Sequence, residues 1–261
     1  MDIEHVSRVM FVFFLSSARM LATFTMMPFL SKQSLGSAMV RNGVVASFSL
    51  LTFPLVEYSL GQQSISGWHT LLIIGKEILI GLALGYVVNI PFWAVESVGF
   101  FIDNQRGATL ASALNPLSGS QTSPLGILLT QSLVTVFFSS GIFLLMLYTL
   151  YMSYSLWPIF DFFPGLAASA PAFFLSQLDT LMRLTVLLGA PVVIAMFLSE
   201  FGLALISRFA PQLNVFILAM PIKSAVGIAL LCLYAGFIIH YFSELLRDMQ
   251  ALVTPVIELL S

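Results

Sequence analysis

Asp103, Gln105 and Arg106 place a carboxylate, an amide and a guanidinium within four residues of a chain that is 59% hydrophobic and only 8% charged. Asp103 and Arg106 are spaced i, i+3, so on a helix they can pair, and Gly107 can end that helix as its C′ residue. No further charge appears from Gly107 to Phe160. The chain continues instead through Asn115, Pro116, Leu117, Ser118, Gly119, Ser120 and Gln121 to Pro124 and Gly126, a stretch of strong turn chemistry. Backbone of this irregular kind cannot face hydrocarbon, because its N–H and C=O groups would go unsatisfied; it is tolerated only inside protein or along a water-filled passage. Leu110, Leu114 and Leu117 would supply apolar contacts, as in a loop packed into a cavity. The functional expectation therefore falls on this segment, with a plain solvent loop as the alternative.

Catalytic chemistry finds no support elsewhere. His5, His69 and His240 are isolated and lack metal-ligand spacing, and neither phosphate-binding glycine motif is present. One cysteine, Cys232, allows no disulfide within one copy and reads as a small buried hydrophobe. No enzyme, metal or cofactor is expected, and a net charge of −2 excludes a basic nucleic-acid binder. Lys76, Glu77, Glu96 and Arg183 interrupt or border apolar runs, where charge is expensive and faces a bundle interior or a water cavity. A proton relay and salt bridges between helices are both open. Lys76 and Glu77 project about 100° apart on a helix, so each is expected to find its partner elsewhere. Gly81 and Gly85 form a G-x-x-x-G pair that lets helix backbones approach closely.

The elements that must position these residues are helical. Mean hydropathy is +1.00, and a soluble domain carries roughly a quarter charged residues, so the class is an integral membrane protein or an obligate hydrophobic complex. Six apolar blocks stand out: Val9–Leu30, Val44–Leu60, Leu71–Trp93 (running on into Ala94–Arg106), Leu125–Trp157, Phe173–Phe209 with Pro191, and Leu213–Phe242 with Pro221. The fourth is about 33 residues and as one helix would reach about 50 Å, against about 30 Å of hydrocarbon. Overlong blocks either tilt and kink or project from the bilayer into an assembly. Lys and Arg are scattered almost singly, so alternate loops show little of the asymmetry that orients a conventional polytopic protein. The N-terminus, Met-Asp-Ile-Glu-His-Val-Ser-Arg, lacks the positive n-region of a cleaved signal. The expected fold is all-α: N-terminal helices over 1–106, a loop over 107–125, a long central helix and linker over 126–172, and a C-terminal helix hairpin over 173–261.

Two passages resemble a known family. Gly99-Phe-Phe-Ile-Asp103-Asn-Gln105-Arg106-Gly107, with Asn115-Pro116-Leu-Ser-Gly and Ser123-Pro124-Leu-Gly126, is one; Pro211-Gln212-Leu-Asn214-Val-Phe216, then Pro221-Ile-Lys223, is the other. They resemble the FliR/SctT (YscT/SpaR-type) family of the bacterial type III protein export apparatus, closer to the injectisome branch. The resemblance implies a single-copy, non-enzymatic subunit of the inner-membrane export gate. It would assemble with two other small hydrophobic subunits (SctR/FliP-like and SctS/FliQ-like) and with the large export-gate protein, and conduct unfolded secreted proteins. It further implies that 107–125 is a plug in the closed pore, anchored by the Asp103–Arg106 turn with its tip at Asn115–Gln121. Pro211, Gln212, Asn214 and Phe216 would set the turn of the last hairpin, and Lys223 would make a buried polar contact near Pro221. The helices would be mostly buried against other subunits. A stand-alone secondary transporter is the alternative from another class.

Overall fold

A computed structural model describes residues 3–30, 37–61, 67–107, 123–161, 170–209 and 215–248. The regular elements among the described residues are all helices: α1 (Ile3–Thr25), a 3-10 turn (Pro28–Leu30), α2 (Ala38–Leu60), α3 (Gly67–Arg106), α4 (Pro124–Ser139), α5 (Ile142–Leu156), α6 (Ala170–Phe209) and α7 (Val215–Arg247). Helix starts and stops follow local chemistry. The Ser37 hydroxyl accepts from Met39 N at 3.1 Å to cap α2, and α2 stops at Gly61, whose φ is +51°. α3 is a single 40-residue helix that runs through Pro91, and α6 and α7 likewise continue through Pro191 and Pro221.

The fourth apolar block differs from expectation. In place of one long central helix it forms α4 and α5, separated at Gly141, whose φ is +76°. Ser139, Ser140 and Gly141 are weak helix formers, and only glycine takes the left-handed conformation without steric cost. Hydrophobicity on both sides hides this break from a reading by apolar blocks. Five helices are long and apolar enough to cross a membrane, or six spans if α4 and α5 count as one.

The chain divides into two compact units. The first holds α1, α2, α3 as far as Ile90, α5 and the start of α6. Its α1 and α3 run parallel, as the contacts Arg19–Glu77 and Thr23–Gly81 keep one offset. The G-x-x-x-G pair makes that approach possible. A Cβ on Gly81 would overlap the Arg19 carbonyl oxygen and lie 2.7 Å from Ala22 Cβ, and one on Gly85 would lie 3.1 Å from Thr23 O. Phe24 stacks on Phe48 at 5.7 Å and Phe143 meets Phe48 at 6.0 Å, tying α2 and α5 into this core.

The second unit holds α3 from Pro91, α4, α6 from Gln177, and α7. Phe92 meets Phe137 edge-on at 5.3 Å, and Val98, Ile102, Leu129, Leu133, Val192 and Phe242 are buried. α6 and α7 form an antiparallel hairpin. Glu200 pairs with Lys223, and a Cβ on Gly227, one turn further along α7, would meet Met196 Sδ, one turn back on α6, at 2.8 Å. Cys232 is exposed on α7 rather than buried. In a chain whose outside is also apolar, an apolar run does not mean the interior.

Candidate functional site

In the second unit, Asp103 ties together the two ends of the segment that the sequence singles out. The last turn of α3 carries Asp103, buried, and Arg106, whose guanidinium pairs with Asp103 Oδ1 at 2.9 Å. Gly107 follows with φ +92° and donates its N–H to Asn104 O at 3.1 Å, ending the helix. Asp103 also reaches the far side of the segment. Its Oδ2 accepts from Ser123 Oγ at 2.6 Å and from Leu125 N at 3.0 Å.

These bonds complete the start of α4. A helix leaves its first N–H groups unpaired. Pro124 opens α4 and has none to satisfy, Leu125 N finds Asp103, Gly126 N finds Ser123 Oγ at 2.9 Å, and Ile127 N finds Ser123 O at 3.0 Å. α4 has no acidic residue in its own first turn, so the carboxylate opposing its dipole comes from α3. The backbones touch: a Cβ on Gly99 would overlap Gly126 N and Cα, and a Cβ on Gly126 would lie 3.0 Å from Glu96 O. Gln105 faces outward, exposed. Leu110, Leu114, Asn115, Pro116, Leu117, Ser118, Gly119, Ser120 and Gln121 lie outside the described residues.

On the hairpin, Lys223 donates to Glu200 Oε2 at 2.9 Å, with side-chain exposures of 15% and 48%. Pro211, Gln212 and Asn214 lie outside the described residues, as does the side chain of Phe216. A pair this exposed stabilises a fold by no more than about 1 kcal/mol. Lys223→Ala is therefore expected to leave the chain folded, with Lys223→Arg close to wild type. Any loss of assembled complex with Lys223→Ala, measured by pull-down of co-expressed subunits, would report a partner contact. Equal complex recovery for Lys223→Ala and wild type would show that the ammonium serves only Glu200.

The first unit contains a polar cluster that the sequence marks only as stray charges. Arg19 and Glu77 are fully buried and joined by two bonds, 2.7 and 3.0 Å. Arg19 also donates to Ser153 Oγ at 2.9 Å and Trp157 O at 3.0 Å, and its guanidinium lies 4.1 Å from the Tyr154 ring centroid. Lys76 Nζ donates to the carbonyls of Pro158, Ile159 and Asp161 at 3.0, 2.6 and 3.0 Å. It also contacts Glu77 Oε1 at 3.1 Å. The expectation that Lys76 and Glu77 do not meet is thus corrected: the lysine stem is long enough to bring Nζ round to the neighbouring carboxylate. Arg19 was the missing partner, and a lone cation in the apolar run Val9–Leu30 was the available signal. The arrangement here is the salt-bridge form, one anion shared by two cations. Glu96 and Arg183 are exposed. No group of metal-ligating residues exists among the described residues.

Long apolar helices, internally satisfied charge and a tied loop base define an all-helical, polytopic membrane-type protein. Comparison with known proteins carries this further. The family described as "Bacterial export proteins, family 1" matches residues 10–249. "Yop proteins translocation protein T" of Yersinia pestis is 48% identical over 256 residues, covering 97% of this chain and 98% of that protein. "Secretion system apparatus protein SsaT" of Salmonella typhimurium is 34% identical over 232 residues, 86% of each chain. "Flagellar biosynthetic protein FliR" of Bacillus subtilis is 31% identical over 193 residues, 71% of this chain and 74% of its own. The chain belongs to the FliR/SctT family of bacterial export proteins, injectisome type.

Proposed function

We propose that this chain is a single-copy pore subunit of a type III secretion export gate in the bacterial inner membrane. Its partners are two small hydrophobic subunits, SctR/FliP-like and SctS/FliQ-like, and the large export-gate protein, and its cargo is unfolded secreted protein. The observation that carries this reading is 48% identity to a Yop translocation protein along nearly the full length of both chains. The work is non-enzymatic and needs no cofactor: the subunit shapes a conduit and closes it. Residues 107–125 form the plug, anchored by Asp103 and Arg106. The tied base supports this role, because Asp103, Ser123 and Leu125 hold both ends of the segment at one place. A segment free of charge between Gly107 and Pro124 offers no fixed ion to obstruct cargo of varied composition.

Assembly is the direct test. Large exposed apolar surface requires a cover, and Leu50, Leu79, Phe197, Phe209 and Leu233 are all more than half exposed in the isolated chain. Expressed alone, the chain should aggregate or be degraded; co-expressed with the two small subunits, it should purify in a hetero-oligomer containing one copy, counted by native mass spectrometry. A stable, monodisperse protein or homodimer in mild detergent would instead favour a stand-alone transporter.

A further inference from the structure

We propose that the bonds from Asp103 to the start of α4 are a releasable catch: letting go of Ser123 and Leu125 frees α4 to pivot on α3 and opens the base of the segment between them. The inference rests on the reading of residues 107–125 as the plug, and adds how that plug is held shut and let go. Every group in the catch belongs to the second unit.

The start of α4 does not depend on Asp103. Ser123 caps it alone, taking Gly126 N on its hydroxyl at 2.9 Å and Ile127 N on its carbonyl at 3.0 Å, as an N-cap serine does. Two bonds join the carboxylate to the helix, from Ser123 Oγ and from Leu125 N to Asp103 Oδ2. Breaking them costs α4 little order. It leaves Leu125 N, a first-turn donor with no partner inside its own helix, and that orphaned group draws the catch back to the closed state.

The carboxylate has a second arrangement to go to. Arg106 lies one turn further along α3 and meets Asp103 Oδ1 at 2.9 Å, yet this buried oxygen accepts no aligned hydrogen bond. Freed from α4, the carboxylate can turn to take the guanidinium fork with both oxygens, the strong form of this pair. The charge of Asp103 is thus paired with the catch closed or open, so opening strands no buried ion.

The contact beside the catch suits a pivot. Gly99 sits one turn before Asp103 on α3, and Gly126 directly follows Leu125 on α4. Backbone meets backbone there, because a Cβ on Gly99 would overlap Gly126 N and one on Gly126 would lie 3.0 Å from Glu96 O. Side-chain ridges seated in grooves fix how two helices cross; two glycines leave no ridge at this point. A pull on the segment reaches Ser123 first, the residue that follows it and carries half of the catch.

The test inverts the charge of the catch in the complete gate and reads the small-ion conductance of resting cells, with assembly followed by native mass spectrometry. Ser123→Asp keeps an N-cap acceptor for Gly126 N but sets a second carboxylate where a hydroxyl now lies 2.6 Å from Asp103 Oδ2, and like charges at such a distance repel. Conductance should rise several-fold over wild type in an assembled gate. Adding Asp103→Asn to Ser123→Asp should return it close to wild type, because the new amide can donate to the new carboxylate and still accept from Leu125 N. A Ser123→Asp gate that assembles and stays tight, while deletion of Asn115–Gln121 leaks, would overturn the catch and leave the plug standing; tightness in both would overturn the plug as well. Failure of Ser123→Asp to assemble, or a leak that Asp103→Asn does not reverse, would make the contact an ordinary part of the fold and equally overturn the proposal.

Discussion

Glu77→Gln is expected to be among the most damaging single substitutions in the chain. The change removes the carboxylate that Arg19 and Lys76 share and leaves the fully buried Arg19 guanidinium without its counter-ion in an apolar interior. Breaking a buried pair by removing one partner costs about 3–5 kcal/mol, a large share of a typical total stability of about 5–15 kcal/mol. Several other bonds depend on the same group. Arg19 holds Ser153 Oγ and Trp157 O in the geometry that Glu77 fixes, so the turn after α5 loosens with it. The paired change Arg19→Met with Glu77→Leu should recover much of the loss, because it removes the mismatched charge and leaves Lys76 on its three carbonyls. Accumulation of a fluorescent-protein fusion in membranes and its thermal aggregation midpoint would read both effects. Wild-type accumulation of Glu77→Gln would show that water reaches the cluster and that it is not buried as described.

Gly81→Ala should be nearly as severe, and Gly75→Ala on the same helix should be harmless or mildly favourable. At Gly81 a methyl would overlap the Arg19 carbonyl oxygen and press on Ala22 Cβ at 2.7 Å. Neither is the end of a flexible side chain, so α1 and α3 must separate, and the Arg19–Glu77 bonds bridge those same two helices. Overpacking typically costs about 1–3 kcal/mol and occasionally more. At Gly75 nothing lies within 4 Å of the new atom, so the expected effect is the gain of about 0.5–1 kcal/mol that alanine offers over glycine inside a helix. The two substitutions are chemically identical and six residues apart, which makes the comparison of their aggregation midpoints specific to the close approach. Equal midpoints would mean that the helices do not meet at Gly81.

Much of this architecture was legible in the chain, and its limits are physical. Asp103, Arg106 and Gly107 could be read because their interactions are local, i to i+3 and a helix stop. The bonds from Asp103 to Ser123 and Leu125 span about twenty residues, and no spacing rule encodes them. Gly81 and Gly85 carry a recognisable motif; Gly99 and Gly126, which touch just as closely, sit on separate helices and carry none. Arg19 and Glu77 are 58 positions apart, so composition could say only that each needed a partner. The break at Gly141 was in view as Ser-Ser-Gly, yet apolar residues on both sides favoured a continuous helix. Cys232 was misplaced because burial inside the chain and burial against something else leave the same apolar signature.

The proposed role of residues 107–125 is to close a conduit for unfolded protein. The measurement that tests it most directly is the small-ion permeability of cells expressing the complete gate, wild type against a deletion of Asn115–Gln121. The deletion leaves untouched the base that Asp103, Ser123 and Leu125 hold, so assembly should persist. With the seal gone, ions and protons should leak through the resting gate, raising conductance well above wild type. A gate that assembles without those residues and conducts no more than wild type would reduce the segment to an ordinary connecting loop and contradict the account.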